Sequence, residues 1–146
     1  MIWSPHTLGD IDKIESVQRK FTKFLPGLFN VPYMNRLEIV GLESLEIRRI
    51  KLDLVFMYKI LNRLVDLNHE DYLTFNENST RGHDFKINVQ YSRVNCRKYF
   101  FINRTIPIWN SLDANIVNSD TVFEFKRKLN SFDATNYCRG RAYRAI

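Results

Sequence analysis

The side chains that could carry chemistry are few and do not fall at catalytic or metal-binding spacings. The chain has three histidines and two cysteines, with no CxxC pair and no metal-ligand spacing among them. The motifs GxxxxGK[ST], GxGxxG, HExxH and GxSxG are also missing from the sequence. No Asp-Asp dipeptide occurs, and a polymerase needs neighbouring carboxylates to hold two metal ions about 4 Å apart. The sequence therefore predicts no catalytic residue, metal or cofactor in this chain, and an independent enzyme is the least favoured class.

Asp53 is the carboxylate that stands alone within the longest predicted helix. An acidic side chain is rarely buried unless it is paired. We therefore expect Asp53 to be a surface or interhelical carboxylate that pairs with a basic residue.

Positive charge is concentrated in the second part of the chain. Residues 81–146 carry 12 Lys and Arg against 5 Asp and Glu, whereas residues 1–80 carry 10 against 11, which together give the net charge of +6. Such an asymmetry favours a polyanionic partner for the C-terminal part. Basic side chains there are interleaved with aromatic ones. Basic side chains contact phosphates, and aromatic rings stack on single-stranded bases. The predicted nucleic-acid-binding residues are Arg48, Arg49, Arg81, His83, Arg93, Arg97, Lys98 and Arg104.

Each of these residues also has a structural interpretation. The charges could form a solvated face, and His83 could stabilise its loop through side-chain hydrogen bonds. Core packing is favoured for Phe100 and Phe101, and it is also the default for Trp3 and Trp109.

The length and composition are those of one globular domain or of one piece of a larger protein. The chain has 146 residues, of which 45% are hydrophobic and 26% are charged. Two cysteines are too few for a disulfide framework, which favours a reducing intracellular compartment, either the cytoplasm or the nucleus. The apolar runs are too short to cross a membrane, so we expect no membrane partner.

The first half of the sequence predicts three helices. An apolar stripe indicates a helix that ends at Pro26-Gly27, and a second helix is predicted over Tyr33–Val40 with Gly41 as its terminator. Ser44 precedes the longest predicted helix, Leu45–Leu64, which we expect to be central. The stripe of the first helix consists of Ile11, Ile14, Val17, Phe21 and Phe24.

The second half is less regular. A short helix is predicted at His69–Leu73, a loop at Asn76–Gly82 and a strand where Phe85, Ile87 and Val89 alternate with polar residues. Residues 93–108 fit either a short helix or an aromatic strand, and Ser119 is the expected N-cap of a last helix. The predicted fold class is mainly α, with a helical region over residues 1–75. A basic, aromatic-rich region with short strands and a last helix would follow over residues 76–132, and then a frayed tail over residues 133–146.

The order of several short segments resembles reverse transcriptases of LINE-type (non-LTR) retrotransposons. The resemblance is to the jockey-like branch, just past the catalytic palm, and it covers about residues 3–130. The segments begin with Trp3-Ser4-Pro5, Asp10-Ile11-Asp12, Val17-Gln18-Arg19-Lys20, Arg36-Leu37, Gly41-Leu42, Arg48-Arg49 and Asp53-Leu54. They continue with Tyr58-Lys59-Ile60-Leu61, Thr80-Arg81-Gly82-His83, Phe100-Phe101, Arg104, Trp109-Asn110-Ser111-Leu112 and Phe125-Lys126.

This resemblance implies a non-catalytic C-terminal fragment, in which residues 1–75 are thumb-like. In the family, the paired aspartates, the fingers and the endonuclease lie upstream, and the thumb and following segments hold the template–primer duplex. The implied partners are an RNA or RNA/DNA template–primer and a missing upstream polymerase domain. Asp113 departs from the pattern, because the family commonly has a proline there.

Two other functions fit the same sequence. The wide apolar stripe of Leu45–Leu64 could dock on another protein, which would make the chain a helical interaction module without a nucleic-acid role. The spacing of Tyr33–Val40 and Leu45–Leu64 faintly resembles a helix–turn–helix regulator, but the longer helix is too apolar to lie in a DNA groove.

Overall fold

The computed structural model describes residues 4–76 and 82–140, except for the side chain of His69, and these residues are mainly helical. This confirms the predicted fold class. Trp3, Arg81, most of the predicted loop and residues 141–146 lie outside the described residues. The helices are α1 (Leu8–Lys23), α2 (Tyr33–Val40), α3 (Leu45–Leu61), α4 (Asn95–Lys98), α5 (Phe101–Asn110), α6 (Ala114–Val117) and α7 (Val122–Leu129), with 3-10 turns at His69–Asp71 and Thr135–Tyr137.

The described chain divides into two compact units, and the division falls within α3, after Ile50. The terminal unit comprises residues 4–50 and 134–140, and the central unit comprises residues 51–76 and 82–133. No helix of the described residues is long and apolar enough to cross a membrane.

Local sequence signals define the helix ends of the terminal unit. The Thr7 side chain accepts a hydrogen bond from the Asp10 backbone N–H at the start of α1, as an N-cap does. Gly41 ends α2 in the left-handed conformation with φ +68°, which confirms its predicted role as a terminator. The α2 helix has the predicted bounds, whereas α1 ends at Lys23, before Pro26.

The inward side of α1 is unexpectedly polar. Glu15 and Thr22 are buried. The Glu15 carboxylate accepts hydrogen bonds from the Tyr33 hydroxyl and from the Leu45 backbone N–H. The Arg36 guanidinium donates to Thr22 Oγ1 at 3.2 Å and to the carbonyl oxygens of Val31 and Arg19. These bonds satisfy most of the polar atoms that burial removes from water, although Glu15 Oε2 is buried without a hydrogen-bond partner among the described residues.

The C-terminal segment of the described chain is fixed to the start of α3. The buried Glu46 carboxylate accepts hydrogen bonds from the backbone N–H groups of Arg139 and Gly140, at 2.7 and 3.0 Å. A Cβ atom on Gly140 would lie 2.9 Å from Glu46 Oε2 and 3.1 Å from Ile11 Cγ2, so the close approach requires glycine. This part of the predicted tail is therefore anchored at residues 139 and 140.

Aromatic rings form the centre of the central unit. The rings of Tyr58 and Phe125 stack with centroids 4.4 Å apart, and the centroid of the Trp109 ring lies 6.0 Å from that of Phe125. The buried Tyr58 hydroxyl donates to the Ser119 carbonyl oxygen at 2.5 Å, and burial raises the pKa of this hydroxyl. The predicted core position of Trp109 is confirmed.

Two predictions for the second half are wrong in detail. The expected strand is reduced to one antiparallel bridge between Phe75 and Ile87, and Phe85 and Val89 are exposed. The N-cap of α7 is Thr121, because the Ser119 hydroxyl instead donates to the Ile116 carbonyl at the end of α6. The ambiguous residues 93–108 contain α4 and most of α5.

Replacing Tyr58 with Phe keeps the ring stack and removes the hydroxyl that bonds to Ser119. We expect Y58F to lower the free energy of unfolding by about 1–2 kcal/mol, because a buried carbonyl loses its partner. Urea unfolding measures this change. The matched control is Y91F, which alters an exposed hydroxyl and should leave the midpoint unchanged; equal midpoints for all three proteins would contradict the buried bond.

Candidate nucleic-acid interface

An exposed run of cations and aromatic rings lies between the bridge at Ile87 and the start of α5. Arg93, Arg97 and Lys98 are exposed, and the side chains of Tyr91 and Phe100 are exposed by 84% and 51%. We call these five residues the basic aromatic segment. The core position favoured for Phe100 is therefore wrong, whereas Phe101 is buried as expected. The segment combines the two kinds of side chain that contact a nucleic-acid strand without reading its sequence.

The upstream end of this segment is held by Asn110, the last residue of α5. The Asn110 amide oxygen accepts from the Ile87 N–H at 2.9 Å, and its Nδ2 donates to the Ile87 carbonyl at 2.8 Å. On the other side, the Asn88 N–H donates to the Thr74 carbonyl and the Asn76 N–H donates to the Lys86 carbonyl. The chain therefore leaves Ile87 in a fixed direction, with Ile87 itself buried.

Arg104 of α5 holds the downstream end. Its Nε and Nη2 atoms donate to the two carboxylate oxygens of Asp53 on α3, at 2.9 and 3.2 Å. Its Nη1 atom donates to the carbonyl oxygen of Tyr99 at 3.0 Å. A bidentate pair of this kind fixes orientation as well as distance, so Arg104 positions the turn between α4 and α5.

The three exposed cations, Arg93, Arg97 and Lys98, have no acidic partner among the residues that the structure describes. Arg97 donates to the amide oxygen of Gln90 at 3.0 Å, and Lys98 Nζ lies 5.7 Å from the centroid of the Tyr99 ring. Their charge is therefore open to an external anion.

The ion pair of Asp53 confirms the prediction made for this carboxylate, and it gives Arg104 an internal partner. Both side chains are largely buried. Because this largely buried guanidinium bonds through all three nitrogens within the protein, Arg104 has a structural role and is not one of the exposed cations.

His83 is buried within the central unit and is not part of the exposed surface. Its Nε2 lies 3.1 Å from the carbonyl oxygen of Trp109, which can only accept, so Nε2 carries the proton. Its Nδ1 is buried without a hydrogen-bond partner among the described residues. Burial, the largest cause, lowers the pKa of the imidazole. This geometry matches the loop-stabilising interpretation of His83.

The remaining predicted residues lie elsewhere. Arg48 and Arg49 belong to the terminal unit, and Arg81 is outside the described residues. Arg48 is exposed. Arg49 is only 7% exposed, and its Nε and Nη2 atoms are buried without a hydrogen-bond partner in the described chain. Of the predicted set, the structure thus brings together Arg93, Arg97 and Lys98 on one exposed segment.

Catalytic groups are not gathered in the described part of the chain. No group of three His, Cys, Asp or Glu side chains there could hold a metal ion. The central unit has a cavity of about 250 Å³, whose lining is apolar and aromatic and includes Phe56, Met57, Leu73, Phe100 and Phe101. Its described lining offers no carboxylate, imidazole, thiol or amine.

Comparison of the chain with protein-family models, with curated proteins and with solved structures gives no significant match. The functional conclusion therefore depends on the chain's own residues and their geometry.

Two residues that support this surface were missed from the sequence. Asn110 and Gln90 carry no charge, and neither residue type by itself indicates a binding role. Asn110 acts on a backbone segment 23 residues away, so only the folded chain shows what it does. The segment Trp109-Asn110-Ser111-Leu112 carries part of the resemblance, but nothing in it predicts the two bonds of Asn110 to Ile87.

Removing the carboxylate of Asp53 tests whether Arg104 depends on it. We expect D53A to lower the free energy of unfolding by about 3 kcal/mol, because a largely buried guanidinium loses its counter-charge. The matched control is E70A, which breaks the exposed pair of Glu70 with Arg63 and should cost less than about 1 kcal/mol. Chemical unfolding compares the two; similar small losses would mean that the buried pair contributes no stability.

The lowered pKa of His83 predicts that the free energy of unfolding decreases in mild acid. Because its pKa is lowered in the folded state, the unfolded chain takes up a proton first as the pH drops below about 6.5. The stabilising contribution is complete about one pH unit above that value and is lost progressively as the pH falls towards the folded-state pKa. We expect the unfolding free energy to drop between about pH 7.5 and about pH 5.5, and H83Q, which keeps a donor but cannot titrate, should reduce this drop. An equal drop in H83Q would assign the effect to other groups.

Proposed function

We propose that this chain binds nucleic acid through the basic aromatic segment, as a non-catalytic C-terminal part of a non-LTR retrotransposon reverse transcriptase would. The observation that carries the proposal is the exposure of Arg93, Arg97 and Lys98, without acidic partners in the described chain, between the exposed rings of Tyr91 and Phe100. The proposed origin comes from the order of short segments, which resembles that of these enzymes. On this proposal, the natural ligand is a template–primer.

The form of the segment favours contact with a sugar–phosphate strand over sequence recognition. The cations lie on a loop and on α4, which is a single turn of helix. Recognition of base sequence in duplex DNA usually depends on a longer helix or a β-ribbon inserted into the major groove. Charge and ring planes on a loop instead tolerate any sequence, because every nucleotide offers a phosphate and a π-face.

The anchored ends of the segment also support binding. Asn110 fixes the chain at Ile87, and Arg104 fixes it at Tyr99. A loop whose ends are held loses less conformational entropy when its side chains engage a ligand than a free loop does. Because phosphates are contacted through charge, affinity should fall with salt, with a log–log slope of roughly −0.7 to −0.9 per phosphate neutralised.

The interaction-module alternative depends on the apolar stripe of the long helix, and most of that stripe is covered in this fold, although Leu52 is 40% exposed. Leu54, Met57, Tyr58 and Ile60 of α3 are all buried. The same burial keeps α3 out of a DNA groove, which disfavours the helix–turn–helix regulator.

Removing two arginines of the segment tests the proposal. We expect the double variant Arg93→Ala with Arg97→Ala to bind single-stranded oligonucleotides and an RNA/DNA hybrid about tenfold more weakly, and its salt slope to shrink by roughly 1.4–1.8. Filter binding at two salt concentrations gives both quantities. Two oligonucleotides of unrelated sequence should lose affinity about equally.

The matched control is Lys126→Ala with Arg127→Ala, which removes the same charge from exposed positions of α7. Binding should change little in this control. Equal losses in the two double variants would show that net charge, not the basic aromatic segment, attracts the nucleic acid, and salt-independent binding would contradict the phosphate contacts.

A further inference from the structure

The α1 helix turns an apolar stripe outward. Val17, Phe21 and Phe24 are exposed by 67%, 62% and 82%, and the half-buried Ile14 continues the line on the preceding turn. We call these four residues the α1 stripe. Successive members are separated by three, four and three residues, so the stripe follows one side of the helix for about 15 Å.

The polar network beneath α1 explains this orientation. Glu15 and Thr22 lie on the inward side, where they bond to Tyr33, Leu45 and Arg36. Rotating α1 to bury the phenylalanine rings would break these bonds and leave buried polar groups without partners, which is costly. The network therefore holds the α1 stripe towards the outside of the terminal unit.

An exposed stripe with this spacing is suited to another helix. Side chains at alternating intervals of three and four are the knobs that insert between residues of a facing helix, and contiguous exposed apolar side chains mark interaction surfaces. Stacking on nucleotides is less suitable, because Ile14 and Val17 have no ring to offer.

The charges beside the stripe define the chemistry of the partner. Lys13 and Lys20 are seven residues apart and lie along the same edge of the stripe, and Lys23 follows one turn after Lys20. Lys13 also pairs with Asp10 at 3.5 Å, whereas Lys20 forms no ion pair with any described residue. From this pattern we propose that the α1 stripe docks an amphipathic helix of another protein whose apolar face is flanked by Asp or Glu.

A second copy of the chain fits less well. A symmetric pair of antiparallel α1 helices would have its two-fold axis near the middle of the stripe, between Val17 and Phe21. Residues near such an axis face their own counterparts, so Lys20 would oppose Lys20 of the other copy. Like charges at that position disfavour self-association.

A pair of designed peptides tests the proposal on the full chain. Both are fluorescein-labelled helices of about three heptads with Leu at positions a and d; one has Glu and the other Lys at positions e and g. We expect fluorescence anisotropy to show at least about tenfold tighter binding of the Glu-flanked peptide. The variant K20E should reverse or abolish this preference.

Substitutions in the stripe separate docking from folding. F21S and F24S alter exposed rings, so they should keep the melting temperature while lowering affinity for the Glu-flanked peptide about tenfold. The control F123S changes a phenylalanine of α7 that is 79% exposed and should bind like the parent.

Three results would overturn the proposal. The first is equal binding of the two peptides, and the second is unchanged affinity in F21S and F24S. The third is a different occupant: light scattering that detects a dimer abolished by F24S would assign the stripe to a second copy, and loss of oligonucleotide binding in F24S would assign it to nucleic acid.

Discussion

The bidentate pair of Asp53 and Arg104 is the interaction on which the proposed binding surface depends. It joins α3 to α5 within the central unit, and the third nitrogen of the same guanidinium holds the Tyr99 carbonyl. A charge that is mostly buried must be paired, since desolvation otherwise costs several kcal/mol. Arg104 thus has a structural role. It positions the turn that follows Arg97 and Lys98, which remain exposed.

A similar requirement shapes the terminal unit, where carboxylates are buried and large apolar side chains are outside. Glu15 bonds to Tyr33 and Leu45, and Glu46 bonds to the backbone of Arg139 and Gly140. Each buried carboxylate needs donors from a distant part of the chain. Meeting this need determines which side of α1 faces inward and brings residues 134–140 back to the start of α3.

Much of the fold could be predicted from local sequence, and less of the candidate site. Gly41 ends α2 as predicted, because left-handed backbone at a helix end is a property of a few neighbouring residues, whereas the predicted N-cap Ser119 was two residues from the observed one, Thr121. The strand predicted at Phe85–Val89 is reduced to one bridge with Phe75, because a side chain, Asn110, takes the other backbone groups of Ile87 where a second partner strand would lie. Among the predicted cations, residue type could not separate the exposed Arg93 from the buried Arg49.

The sequence by itself determined the mainly helical fold class, the uneven distribution of charge and the pairing expected of Asp53. Helix periodicity, capping and net charge depend on residues close together in the chain or on composition alone. Only the tertiary structure decided which cations are exposed and which side of α1 faces outward. Burial and ion pairing depend on groups many residues apart, such as Asp53 with Arg104 or Glu46 with Gly140. These contacts largely bury some charged side chains, such as Arg104, and leave others close in sequence, such as Arg97, exposed to solvent.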